Sequence, residues 1–160
     1  MKRSLTLNVN GRLHLVEAAT HHTLLEVLRR ELQLVGAREG CGVGMCGACT
    51  VLLDGQPVSS CLLLATDVRG RRVETVEGLA DGDRLHAIQR AFVEQTAFQC
   101  SFCTPGMIMA TKALLAENPS PTDEEITDYL AGNLCRCGSY KNIVAAVKAA
   151  ATELGTGAPA

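Results

Sequence analysis

Gly40-Cys41-Gly42-Val43-Gly44-Met45-Cys46-Gly47-Ala48-Cys49-Thr50-Val51 is the stretch that decides how this chain folds and what it holds. Its cysteines are spaced C-x4-C-x2-C, and Cys61 follows twelve residues after the last of them. Four thiolates at that spacing are the ligand set of a plant-type 2Fe–2S cluster, two for each iron. A cluster with four thiolates is an anion, so burying it requires backbone N–H groups pointing inward. Glycine at 40, 42, 44 and 47 lets the backbone come close and take positive φ. Val43, Met45 and Leu52 are the apolar neighbours expected to shield the group.

Working outward, the remaining cysteines form a second quartet, Cys100, Cys103, Cys135 and Cys137, read as C-x2-C, a long gap, then C-x-C. Eight cysteines make two sets of four with none left over. A second cluster fits this set, with Arg136 between two ligands as a compensating charge. On spacing alone a structural zinc site fits the second set as well, since four thiolates also suit a tetrahedral ion. The N-terminus alternates polar and apolar residues and has no continuous apolar core of a secretory signal. A cytoplasmic protein is therefore expected, in which disulfides are disfavoured.

The cysteine-rich loop sits among strand signals. Leu5, Leu7 and Val9 alternate, Asn10-Gly11 marks a turn, and Leu13 and Leu15 resume the alternation, predicting a hairpin. Thr23-Leu24-Leu25-Glu26 is a capping box for a helix with Leu24, Leu25, Leu28 and Leu32 on its apolar face, ended near Gly36. Thr50–Leu53, Asp54-Gly55 and Gln56–Ser59 predict a second hairpin, and Val73–Val76 a last strand.

After a linker at 77–82 the period becomes helical. Leu85, Ile88, Phe92 and Val93 form one face. Thr104-Pro105 reads as a cap followed by proline at the first helical position, and Asn118-Pro119 stops that helix. Thr122 to Glu125 is another capping box, leading to Ile126 and Leu130. Ile143, Val147, Ala150 and Leu154 fit a final helix, with a frayed tail from Gly155 to Ala160. Four helices with short connections suggest a small bundle. The fold class is α+β, divided into residues 1–78 and 79–160.

The 160 residues carry a formal net charge of −2. That excludes the concentrated basic face a nucleic acid or an anionic membrane requires, and no stretch is long enough to insert into a bilayer. Glu124-Glu125 and Asp81/Asp83 read as helix-start charges. His14, His21, His22 and His86 have no ligating partner in sequence, and no Ser/His/Asp or Cys/His set is present. No catalytic residue is assigned.

Three stretches, GCGVGMCGACTV (40–51), QCSFCTPGM (99–107) and GNLCRCGSY (132–140), resemble the small iron–sulfur subunit of the molybdenum hydroxylases, the xanthine dehydrogenase, aldehyde oxidoreductase and carbon monoxide dehydrogenase family. The resemblance spans residues 4–152. It implies an N-terminal β-grasp, ferredoxin-like 2Fe–2S domain followed by an all-α four-helix bundle holding a second 2Fe–2S cluster. It also implies a large subunit bearing molybdopterin, with Gln99 and Cys137 contacting that cofactor, and an FAD-binding medium subunit or a cytochrome as acceptor. Ser101 stands where many relatives have Gly, and Gly138-Ser139 where many have Thr-Gly. The Gly-Ser-Tyr run after the last cysteine resembles the aldehyde and N-heterocycle (isoquinoline-type) branch. A carbon monoxide or xanthine dehydrogenase subunit, a stand-alone ferredoxin and a structural zinc module are the alternatives.

Overall fold

The computed structural model describes residues 1–155. Strands β1 (Lys2–Val9) and β2 (Arg12–Ala19) form the first hairpin. Asn10 and Gly11, at φ 52° and 75°, make its turn, with the twist that suits a two-residue connection. The hairpin is as expected, but its buried face is not. Leu5, Leu7 and Val9 pair with Val16, His14 and Arg12. Odd positions of β1 thus oppose even positions of β2, and Leu13 and Leu15 fall on the other face, 75% and 76% exposed. Turn length sets this register, and a shift of one residue would exchange the faces.

Helix α1 (Leu24–Arg30) starts at Thr23, whose hydroxyl accepts the Glu26 N–H while the Glu26 carboxylate accepts the Thr23 N–H. Leu24, Leu25, Val27 and Leu28 are buried on the sheet, each contributing roughly 1.5–3 kcal/mol of apolar burial. The helix ends well before Gly36. Gln33, at φ 59°, takes the left-handed position after it, and Gly36 instead donates its N–H to Glu77 at 2.7 Å.

Strands β3 (Thr50–Leu53) and β4 (Gln56–Ser59) form the second hairpin, turning at Asp54 and Gly55. Strand β5 (Arg72–Glu74) is shorter than expected, because Val76 already begins a 3-10 turn, Val76–Gly78. The sheet order is β2-β1-β5-β3-β4. β5 runs parallel to β1, and the other neighbours are antiparallel. All four residues of β3 are buried, as expected of a strand covered on both faces. Val51 and Leu53 join the core under α1, whereas Leu52 joins the core of the helices that follow.

Those helices are α2 (Ala87–Glu94), α3 (Thr104–Glu117), α4 (Asp123–Tyr129) and α5 (Tyr140–Gly155). The buried stripe of α2 is Ala87, Ile88, Ala91 and Phe92. Leu85 lies before the helix and Val93 on its outer side, 42% and 56% exposed. α3 is capped by Cys103, one residue earlier than expected, and stops at Asn118. From Gly106 to Leu115 only Lys112 is not buried, so α3 is the central helix. It packs on β3, α2 and α4, and α5 packs on α2 and α4. Thr122 caps α4 through the expected box with Glu125. Residues 156–160, most of the tail expected to fray, lie outside the described residues. No described helix is long and apolar enough to cross a membrane.

Candidate functional site

The first quartet is carried by the connection from α1 to β3, with Cys61 just past β4. Gly42, Gly44 and Gly47 take φ of 68°, 75° and 69°. This winding turns the backbone N–H groups of Val43 and Met45 onto Cys41 Sγ, at 3.4 and 3.3 Å. With the Cys46 N–H, they lower the Cys41 thiol to about 6. Cys61 is pushed up to about 11 by burial and then by Cys49, while the Gly44 N–H works in the opposite direction. Cys41 thus faces Cys46, and Cys49 faces Cys61. Cys49 and Cys61 are buried and the other two lie at the rim.

The expected shield differs from the observed one. Val43 and Met45 point outward, 61% and 72% exposed, because the positive-φ glycines that precede each of them, Gly42 and Gly44, direct N–H groups, not side chains, inward. Strand alternation sends Leu52 to the helices. Leu62, itself 60% exposed, is the apolar side chain that touches the loop: a Cβ on Gly44 would come 2.3 Å from Leu62 Cδ1. No local pattern marked that residue.

The second quartet comes from two connections between helices. Cys100 and Cys103 lie between α2 and α3, and Cys135 and Cys137 precede α5. Ser101, at φ 60°, holds a left-handed position between the first two, a conformation glycine takes without strain. Cys100 interacts with Cys137 and Cys103 with Cys135. The Phe102 N–H, then Cys137, lower the Cys100 thiol. Burial, then Cys135, push Cys103 up to about 12. At Cys135 burial opposes ionisation, but the Ser139 N–H, 3.5 Å from Sγ, and the Cys103 thiol outweigh it. Tyr140 Oη accepts the Cys135 N–H at 2.9 Å. Gln99 and Arg136 are exposed beside the quartet.

A cleft of about 410 Å³ is lined by members of both sets, Cys41 and Cys46 of the first and Cys100, Cys103 and Cys135 of the second, together with Arg136. The Leu134 N–H donates across it to the Cys46 carbonyl at 2.9 Å. The Arg38 guanidinium bonds the Ser101 carbonyl and stacks 5.5 Å above the Phe102 ring. Among the described residues, no group of three or more His, Cys, Asp or Glu is arranged to hold a single metal ion. Within each quartet the thiols lie close enough to influence one another's ionisation, and the N–H groups around them favour thiolate. That donor set fits an anionic, sulfur-ligated group.

Fold and site together define a protein with two iron–sulfur centres. Residues 7–80 match the 2Fe-2S iron-sulfur cluster binding domain family, and residues 75–148 match the 2Fe-2S binding domain family. The chain is 48% identical over 149 residues to the nicotine 6-hydroxylase small subunit of Paenarthrobacter nicotinovorans, covering 93% of this chain and 90% of that protein. Quinoline 2-oxidoreductase from Pseudomonas putida 86 contains a chain of the same fold, with a TM-score of 0.93, 39% identity and 98% of each chain covered. The aldehyde oxidoreductase of Desulfovibrio desulfuricans matches with a TM-score of 0.91 and 43% identity, over 96% of this chain but 17% of that longer one. This chain belongs to the family of iron–sulfur small subunits of the molybdenum hydroxylases. It holds two 2Fe–2S clusters and transfers electrons as a subunit of an oxidoreductase complex.

Proposed function

We propose that this chain passes electrons, one at a time, from a molybdopterin-bearing large subunit to an FAD-bearing subunit or a cytochrome, in a cytoplasmic complex that hydroxylates an aldehyde or an N-heterocycle. Residues 1–78 are read as a β-grasp domain that holds one cluster through Cys41, Cys46, Cys49 and Cys61. Residues 79–160 are read as a four-helix bundle that holds the other through Cys100, Cys103, Cys135 and Cys137. Each cluster, when bound, takes up and releases a single electron. The chain's own residues aim N–H groups at sulfur and fix the two thiolate sets relative to each other.

The carrying observation is that cysteines of both quartets line one cleft, with the Cys46 carbonyl bonded to the Leu134 N–H next to Cys135. Gln99 and its neighbour Cys100 are exposed and Cys137 is half-buried, which leaves them accessible to a large subunit. The small-subunit and N-heterocycle names of the similar proteins, and the aldehyde oxidoreductase whose longer chain contains this module, support that assignment.

The test is Cys137→Ala in the native assembly. One of the two EPR signals is expected to disappear, and the other cluster is expected no longer to be reduced by substrate, although dithionite still reduces it. Two intact signals with full turnover would remove Cys137 from the ligand set. A chain that purifies alone, without molybdenum- or flavin-containing partners, would favour a free ferredoxin.

A further inference from the structure

The segments that carry the two quartets are bonded to each other through one buried side chain. Asn133, two residues before Cys135, is 7% exposed. Its Nδ2 donates to the Gly47 carbonyl at 3.0 Å and to Thr50 Oγ1 at 3.2 Å. Gly47 lies between Cys46 and Cys49, and Thr50 follows Cys49. Thr50 Oγ1 donates in turn to the Gly47 carbonyl at 2.7 Å. The amide of a residue in the helical half therefore completes the turn that sets two ligands of the other half. The contact is close: a Cβ on Gly47 would lie 2.5 Å from Asn133 Nδ2 and 2.6 Å from the Gly132 carbonyl.

We propose that Asn133 is a positioning residue that makes the two cluster sites fill and empty as one unit. Both acceptors of its amide belong to the other site's segment, the Gly47 carbonyl in the cysteine-rich loop and the Thr50 hydroxyl where that loop runs into β3. When that loop is disordered, the Asn133 amide and the segment running into Cys135 lose their anchor, and a buried donor without an acceptor is costly. When a cluster orders the loop, the anchor forms and the second site needs less ordering to bind its own cluster. Coupling of this kind is reciprocal, so the helical site must steady the loop to the same degree. The proposal concerns only this chain's two sites, and it stands whichever partner supplies the electrons.

The experiment is stepwise chelation of the anaerobic native assembly, following iron, sulfide and the EPR signals. The wild-type protein is expected to lose both clusters in one transition. Asn133→Leu, similar in volume but without the amide, is expected to lose them in two, with a plateau at half the initial iron. The first of the two steps is expected at about 5- to 150-fold lower chelator than the wild-type transition, the usual span of a coupling between sites. Thr50→Val removes the hydroxyl that accepts from Asn133 while keeping a β-branched residue in β3, and it is expected to split the transition too. It serves as the test if Asn133→Leu does not fold. A residue of merely structural value would move a single transition to lower chelator without splitting it, and that result would overturn the proposal. So would a plateau at half the iron in the wild-type protein.

Discussion

A Cβ placed on Gly106 would lie 2.2 Å from the Gly47 carbonyl, so the first turn of α3 is pressed against the cysteine-rich loop by the absence of a side chain. Gly106→Ala is expected to cost about 1–3 kcal/mol, the usual penalty of overpacking, and to lower the iron content of the purified protein. Denaturant unfolding together with iron analysis checks both. The cysteines were legible in the sequence because ligand spacing is a local pattern. The need for glycine at 106 was not, since it arises from a loop far away in the chain. The same holds for Asn133, whose partners Gly47 and Thr50 lie in the other half, and for Leu62, which meets Gly44 only once β4 has turned back.

At the scale of elements, three helices start at side-chain caps, at Thr23, His86 and Thr122. The boxes at Thr23 and Thr122 were readable because threonine followed three residues later by glutamate is a known start signal. The start of α2 was missed because histidine is outside the usual capping set. His86 Nδ1 accepts the Ile88 N–H at 3.2 Å, and the Gln89 side chain returns to the His86 N–H. Burial foremost, then Lys112, hold the ring below its ordinary pKa of 6.5, with Glu74 opposing and Arg90 adding to the effect. The folded chain thus prefers the neutral ring, and between the lowered value and 6.5 the unfolded chain binds more protons. The stability from this group is complete above 6.5 and is lost as the pH falls from there through the lowered folded value. His86→Asn keeps a capping side chain and removes the titration. Its melting temperature is expected to depend less on pH than that of the wild type over that window, as thermal melts at several pH values would show. The hairpins were equally readable at Asn10-Gly11 and Asp54-Gly55. Which face of β2 is buried was not readable, because alternation alone does not say which parity opposes Leu5 and Leu7.

Across the whole molecule, the division into a strand-rich first half and a helical second half followed from the change of hydrophobic period. What the period did not reveal is that the halves share a core. Leu52 leaves the sheet's own core and sits among the helices, and Glu74 in β5 pairs with Lys112 in α3. Leu52→Ala is expected to destabilise the protein by about 2–5 kcal/mol, as core truncations of leucine do. Sheet and helices are still expected to unfold in one transition, which circular dichroism and the visible absorption of the clusters would follow together. Two separate transitions would mean that the shared contact is not what holds the halves together. The two groups of four cysteines stood out in the sequence by their spacing. Their orientation toward one another did not, since it depends on α3 lying across β3 and bringing the turn before it over the loop.

The parallel pairing of β1 with β5 has a consequence for how the molecule is made. Asn8 and Val9 must find Arg72 and Val73, and all four thiols of the first quartet lie in the stretch between them. As the polypeptide leaves the ribosome, those sulfurs emerge before the strand that seals the sheet exists. Iron and sulfide captured at that stage would shorten the span left to be closed, and a shorter span is entropically easier to close. The inorganic group is then part of the assembly order of the protein as well as part of its finished state.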